Sequence, residues 1–416
     1  MPVSDYPYDV CVIGGAGHVG LPFALICADS GLQTVIYDID RDKIRQIRAG
    51  EMPFVEEGAD EILHRVLGAG RLIVDDRPDL MSRSRFLVMI IGTPLDEHLN
   101  PSFGAIDRVL AGAREHLRDG QVLILRSTVF PGTSQRIQAY LAGLGLRIRL
   151  ACCPERVAQG HSLREFRQLP QIISAFDAET LAAVRALFAR FTPELVEMEP
   201  MEAELCKLMT NAWRYIQFAT VNQFYMLASG CGVDFDRILH GCRYNYPRMI
   251  GMPGPGFAAG PCLVKDTMQL AAFSQNQFML GHSAMLVNEG LPGHLIALAR
   301  RHVEIGRSTA GILGMAFKAE SDDPRDSLSY KLRKLLALEA RAVLCTDPYV
   351  RDPTLVPLER VLAEADLLFV ATPHACYRRL APRLAGKLVI DIWGVAGQPG
   401  SPDAVAAAMA GSSAPA

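Results

Sequence analysis

Three sets of residues in this chain have the types and spacing to do chemistry. Cys262 lies in Gly254-Pro-Gly-Phe-Ala-Ala-Gly-Pro-Cys-Leu-Val-Lys-Asp266, a glycine- and proline-rich turn with Lys265 and Asp266 directly behind it. Upstream, Glu204-Leu-Cys-Lys-Leu-Met-Thr-Asn211 puts Glu204, Lys207 and Asn211 on one helical face, with Lys207 and Asn211 one turn apart. Near the start, Gly15-Ala-Gly-His-Val-Gly20 fits the GxGxxG dinucleotide fingerprint. A hydride acceptor, a polar pair able to hold an alcohol and a thiol nucleophile together suit oxidation of an alcohol past the aldehyde. A free aldehyde gives up hydride poorly until a nucleophile has added to it. A thiolate can add, the adduct can lose a second hydride, and the resulting thioester can be hydrolysed.

In the fingerprint, Gly15 permits the tight turn, Gly17 lets a pyrophosphate approach the backbone, and Gly20 lets helix pack on strand. The helix N-terminus that carries His18 and Val19 stabilises phosphate charge. Asp38, 18 residues beyond Gly20, can bond ribose hydroxyls and would repel a 2′-phosphate, which favours NAD over NADP. Lys207 and Asn211 could hold an alcohol and stabilise its alkoxide; the plainer alternative is a solvated face or a salt bridge to Glu204. For Cys262, Lys207 or Lys265 would favour the thiolate, and Asp266 or Glu155 could orient the hydrolytic water.

The remaining residues must build the frame. The 416 residues suffice for two or three domains. Half are hydrophobic and 21% charged, which fits a globular enzyme and excludes a disordered chain. A net charge of -3 without a basic stripe gives nucleic acid no electrostatic footing. Ten cysteines are scattered without zinc-like spacing, so neither a metal site nor disulfides are expected. With no signal peptide and no run of about 18 apolar residues, the expected location is the cytoplasm, away from membranes.

Val10–Ile13, Thr34–Tyr37, Phe86–Ile91 and Val122–Leu125 read as buried strands alternating with helices such as Leu21–Ala28. The C-terminal part repeats the layout at Ala310–Gly314, Ala342–Cys345, Leu367–Ala371 and Lys387–Ile390. Thr346-Asp347-Pro348 echoes Tyr37-Asp38, and Ala371-Thr-Pro373 echoes Gly92-Thr-Pro94. Between the halves, Glu202–Ser229 and Ala284–His302 read as helices, the first long, largely apolar and suited to burial against another subunit. The expected fold is α/β, with two Rossmann-like doubly wound parallel sheets joined by a helical region. The expected boundaries are 1–198 for an NAD-binding domain, 199–304 for a helical domain carrying the cysteine loop, and 305–400 for a second Rossmann-like domain. A tail, 401–416, is expected to end in disorder.

With these motifs in order, the chain resembles the UDP-glucose/GDP-mannose dehydrogenase family from about Tyr8 to about Val395. The resemblance rests on Gly15–Gly20, Gly92-Thr-Pro94, Ser127-Thr-Val-Phe-Pro-Gly-Thr133, Pro154-Glu-Arg-Val157, Lys207-x-x-x-Asn211, the Cys262 loop and Gly314–Ser327. It implies a four-electron oxidation of a sugar C6 alcohol to a uronic acid, using two NAD and one water. Cys262 would be the nucleophile, and Lys207, Asn211 and Asp266 would manage oxyanion and water, with Thr128 and Glu155 completing the site. Lys43, Thr93, Thr128 and Arg325 would join the fingerprint and Asp38 on NAD. Arg248, Phe257, Gly260 and Lys318 would join Glu155, Lys207 and Asn211 on the nucleotide sugar. The resemblance further implies a homodimer through the central helices, with Arg248 entering the partner's sugar site.

Asn245-Tyr-Pro-Arg248, Pro253-Gly-Pro-Gly256 and Pro154-Glu-Arg-Val157 resemble the UDP-N-acetylhexosamine branch, whereas Cys262-Leu-Val-Lys-Asp266 resembles the UDP-glucose branch. Gln159 stands where the latter commonly has glutamate, and Ala258-Ala259 where glycine is frequent. Two other readings remain: a two-electron β-hydroxyacid dehydrogenase, which leaves the Cys262 loop and the second Rossmann-like half unexplained, and a non-catalytic nucleotide-sugar binding protein.

Overall fold

The computed structural model describes residues 6–96 and 104–396; the tail 401–416 lies outside the described residues. Contacts divide the chain into two compact units, Met1–Thr210 with Ala272–Gln275, and Asn211–Ala271 with Asn276–Ala416.

In the first unit, β1 (Tyr8–Ile13), β2 (Thr34–Tyr37), β3 (Leu72–Asp75), β4 (Ser84–Met89), β5 (Val122–Leu125) and β6 (Arg149–Cys152) form one parallel sheet. Their order is β3-β2-β1-β4-β5-β6, so the winding reverses between β1 and β4. The register sets Ile13 beside both Tyr37 and Met89, which brings the carboxyl ends of these strands to one edge. Ligands bind at that edge, beside the reversal, in open α/β sheets. Helices cover both faces, which is why Val10–Ile13 of β1 and the whole of β5 read as unbroken apolar runs. Phe23, Phe166, Phe188 and Phe191 pack on one face, and Leu87, Leu123 and Ile137 on the other. A small parallel pair, β7 (Gln171–Ile173) and β8 (Leu195–Glu197), completes this unit.

The second unit holds the parallel sheet β9 (Thr309–Leu313), β10 (Ala342–Thr346), β11 (Leu367–Val370) and β12 (Leu388–Asp391), ordered β10-β9-β11-β12. The α/β class with two parallel doubly wound sheets is therefore as the sequence suggests. Local boundaries differ. The strand expected to reach Ile91 ends at Met89, because Ile91 N–H turns to donate to Ser127 Oγ at 2.8 Å. The second central helix spans Met279–Ala299, starting five residues before the expected Ala284.

The first central helix runs from Pro200 to Gly230, 31 residues. Ala203, Leu208, Ala212, Tyr215 and Ala219 are buried within the chain. Met209, Trp213, Phe224 and Leu227 are exposed, at spacings that return to one face. Among the described residues, no helix is long and apolar enough to cross a membrane.

Candidate active site

The fingerprint occupies the loop after β1 in the first unit. A methyl on Gly15 would meet Val12 O at 2.8 Å and Ile36 Cγ2 at 2.9 Å. One on Gly20 would meet Gly15 Cα at 2.8 Å, whereas one on Gly17 would find only Gly14 O, at 3.7 Å. Gly15 and Gly20 are thus fixed by packing, and Gly17 leaves a smooth open backbone. The helix Gly20–Asp29 has no side-chain cap and no acid in its first turn, so its N-terminal amides and partial positive charge face that opening. This cradle fits a dinucleotide pyrophosphate.

Asp38 accepts from Ala16 N–H at 2.8 Å and from Asp40 N–H at 3.0 Å, tying down the glycine loop. A carboxylate has about four acceptor positions, so Asp38 can still accept from two donors of a ligand. His18 stacks on Phe54 with ring centroids 4.2 Å apart. Lys43 turns its ammonium to Asp40 at 3.4 Å, on the rim of the same loop.

At the same sheet edge the threonine motifs meet. Thr93 Oγ1 donates to Thr128 O at 2.6 Å, and Ser127 Oγ donates to Ile91 O at 2.9 Å. Glu155 follows β6, its N–H donating to Arg126 O at 3.2 Å. Its Oε1 accepts from Arg156 N–H at 2.6 Å and Val157 N–H at 2.9 Å, and its Oε2 accepts from Arg126. Glu204, on the long helix, does not pair with Lys207. It caps the helix Thr133–Gly143, accepting from Gly132 N–H at 2.6 Å and from Ser134 N–H at 2.7 Å. Burial, offset in part by these Ser134 and Gly132 bonds, pushes its carboxyl above the ordinary range. The solvated-face and salt-bridge alternatives for Lys207 both fail: the residue is 8% exposed, and among the described residues no acid pairs with its ammonium.

In the second unit, Cys262 is exposed and stands immediately before the helix Leu263–Phe273, whose Asp266 N–H donates to Cys262 O at 2.8 Å. A helix N-terminus favours a thiolate, a feature the glycine-rich sequence conceals. Asp266 is fully buried; its Oδ2 accepts from Asn211 Nδ2 at 2.5 Å, and its Oδ1 lies 2.6 Å from Lys265 Nζ. Lys265 is thus drawn toward Asp266. Arg325 is held bidentately by Asp323, at 2.9 Å and 2.6 Å. The Asp323 bond chiefly, with smaller help from the charges of Asp323, Cys262 and Asp326, pushes this guanidinium above its ordinary range against the opposing effect of burial. Arg325 is therefore a cation in electrostatic reach of Cys262.

The cysteine loop is fixed from both sides. Gly256 N–H donates to Asn222 Oδ1 at 2.8 Å and Asn222 Nδ2 donates back to Gly256 O at 2.9 Å, while the Trp393 ring lies against Gly256. Gly260 N–H donates to Asp326 O at 3.2 Å, with Phe317 across its open face. Phe257 is buried next to this anchor in the unit's apolar core. A cavity of about 710 Å³ opens beside the loop, lined by Ala258, Ala259, Arg325 and Lys331 among others. Lys318 sets its ammonium over the Phe317 ring, 5.9 Å from the ring centre. Arg248 is on an exposed stretch, its guanidinium leaning on Tyr246.

Sequence reasoning overlooked Arg126, Asn222 and Trp393. Of these only Arg126 left a local trace, a charge directly after the apolar run Val122–Leu125.

The reversal point, the glycine cradle and a carboxylate at the end of β2 suit the first unit to binding a dinucleotide. The chain belongs to the UDP-glucose/GDP-mannose dehydrogenase family: its NAD binding domain matches residues 8–192, its central domain 201–289 and its UDP binding domain 311–398. It is therefore an NAD-dependent dehydrogenase of that family. A UDP-N-acetyl-D-mannosamine dehydrogenase of Pyrococcus horikoshii is 29% identical over 91% of this chain and 93% of its own length. An NDP-N-acetyl-D-galactosaminuronic acid dehydrogenase of Ralstonia nicotianae is 26% identical over 94% and 97%. Among solved structures, the UDP-D-ManNAc dehydrogenase from Pyrococcus horikoshii superposes with a TM-score of 0.85 at 28% identity, covering 92% of this chain and 94% of that one.

Proposed function

We propose that the protein oxidises the C6 alcohol of a UDP-N-acetylhexosamine to the uronic acid, in two hydride transfers with Cys262 as nucleophile. The observation that carries this reading is the thiol's setting: exposed, at a helix N-terminus, in electrostatic reach of Arg325. Bound NAD supplies the hydride acceptor for each transfer. Lys207, buried and with no acid pairing its ammonium among the described residues, has the charge to stabilise the alkoxide, and Asn211 has the amide to orient it. The Cys262 sulfur adds to the aldehyde carbon, and the adduct loses its second hydride to become a thioester. Water attacks that carbonyl, the carbon–sulfur bond breaks, and the thiol regains a proton. Asp266, hydrogen-bonded to Asn211, sets the amide's orientation and is the acidic group closest in sequence to the thioester.

The relatives' names support an N-acetylhexosamine over glucose, in agreement with the Asn245–Arg248 and Pro154–Val157 motifs. A homodimer is part of the same proposal, supported by the exposed Met209, Trp213, Phe224 and Leu227 on one helix. The test is NADH formation and product mass with UDP-N-acetylmannosamine, UDP-N-acetylglucosamine, UDP-N-acetylgalactosamine and UDP-glucose, for wild type and Cys262→Ala. The variant is expected to bind NAD and sugar yet release no uronate. Wild-type-like uronate formation by the variant refutes the assignment.

A further inference from the structure

Arg126 has no exposed surface, yet it directly follows β5 at the edge where Thr128 and Glu155 lie. Its guanidinium sits among three rings, 4.8 Å from the Phe23 centroid, 4.9 Å from Phe188 and 5.6 Å from Phe166. Nη1 donates to Cys153 O at 2.8 Å, and Nη2 donates to Gln171 Oε1 at 2.6 Å and to Glu155 Oε2. Burying a guanidinium is costly even when paired, and an apolar side chain would fill the same cage more cheaply. What an apolar side chain cannot do is fix the direction of a carboxylate.

The acceptor count shows what that direction leaves free. Glu155 Oε1 has both positions filled by the N–H groups of Arg156 and Val157, and Oε2 has one filled by Arg126. One position remains, on Oε2, and only 8% of the side chain is exposed to reach it. A group that bonds there must be a donor: a sugar hydroxyl, an amide N–H or a water.

We infer that Arg126 is a positioning residue, clamping Glu155 so that its single free acceptor position meets one donor of the bound sugar or of the hydrolytic water. The inference rests on the functional reading above, together with the family resemblance, which implies that Glu155 completes the site. The clamp acts through Glu155 and not through the NAD cradle.

A double-mutant cycle tests it, using NADH formation with UDP-N-acetylmannosamine as the readout. Arg126→Lys keeps the charge but cannot span three acceptors, and Glu155→Gln keeps the shape but changes the acceptor pattern. Each is expected to lower kcat/KM roughly ten- to a hundredfold, the range of a charge-assisted hydrogen bond. NAD affinity should stay within about twofold for Glu155→Gln, whose carboxylate bonds Arg126, Arg156 and Val157. The double variant should be no worse than the poorer single variant. Losses that multiply overturn the inference, since Arg126 would then act independently of Glu155. If Arg126→Lys is too unstable to purify, Arg126→Met is made in the Glu155→Gln background, where the buried carboxylate is gone. Its kcat/KM must equal that of Glu155→Gln alone, and a further loss overturns the clamp. A wild-type enzyme that forms no NADH with any of the four sugars overturns the functional reading and this inference together. An active wild type with multiplying losses overturns the clamp alone.

Discussion

Gly260→Ala is the most demanding test of how the cysteine loop is held. Gly260 has φ +99°, a region that side-chain-bearing residues rarely adopt. Forcing alanine into it costs about 1–3 kcal/mol. The added methyl would lie 2.8 Å from Phe317 Cε2 and 3.0 Å from its Cγ, closer than carbon atoms pack. Overpacking of that kind costs about 1–3 kcal/mol more. The combined loss, roughly 2–6 kcal/mol, should lower the melting temperature by on the order of 10 °C, at roughly 2–4 °C per kcal/mol. Any relief requires Gly260 to move off Asp326 O, and Cys262 is two residues away. A displacement near 1 Å at a reacting atom can cost about a hundredfold in rate. Differential scanning fluorimetry and steady-state NADH assays read the two effects separately. Adding Phe317→Leu should recover the packing share and leave the backbone share. A Gly260→Ala protein that melts within about 2 °C of wild type, with unchanged kcat, refutes the described loop.

Three further outcomes are expected. Asp38→Ala should weaken NAD roughly tenfold through lost ribose bonds and a loosened Ala16 tie, and should relax discrimination against NADP; an unchanged cofactor preference in isothermal titration removes Asp38 from the ribose. Burial alone would push the Asp347 carboxyl up, but the His374 bond and the Val350 and Tyr349 N–H groups outweigh it and hold it down at about 2. A depressed folded value means this stability is present above the ordinary carboxylate range and is lost as pH falls from about 4 to about 2. Asp347→Asn should therefore lose about 2 kcal/mol at neutral pH and show a flatter acid limb in chemical unfolding; an unaltered limb counts against it. Trp213→Glu, on the exposed face of the long helix, should shift sedimentation toward monomer, and a wild type that already sediments as an active monomer contradicts the proposed dimer.

The legible parts of this chain are those whose cause is local. Gly15 and Gly20 are demanded by atoms of the same turn and of the neighbouring strand, so the fingerprint could be read directly. The second sheet was legible through Thr346-Asp347, although not its saturation: Asp347 accepts from Met315, Ala316, Tyr349 and Val350 N–H groups as well as from His374. What stayed hidden depends on distant partners. Glu204 looked like a neighbour for Lys207 because they are one turn apart, yet its carboxylate goes to residues about seventy positions upstream. Trp393 and Gly256 meet although the whole second sheet lies between them in sequence. Strands such as Arg149-Leu-Ala-Cys152 are too short and mixed for periodicity to reveal, and pairing with β5 makes them strands.

The most direct measurement of the central claim is the number of NADH molecules formed per molecule of UDP-N-acetylhexosamine consumed at completion. Two NADH with a uronate product is the result expected if Cys262 retains the half-oxidised sugar for a second hydride transfer. One NADH per sugar, with an aldehyde accumulating, contradicts it.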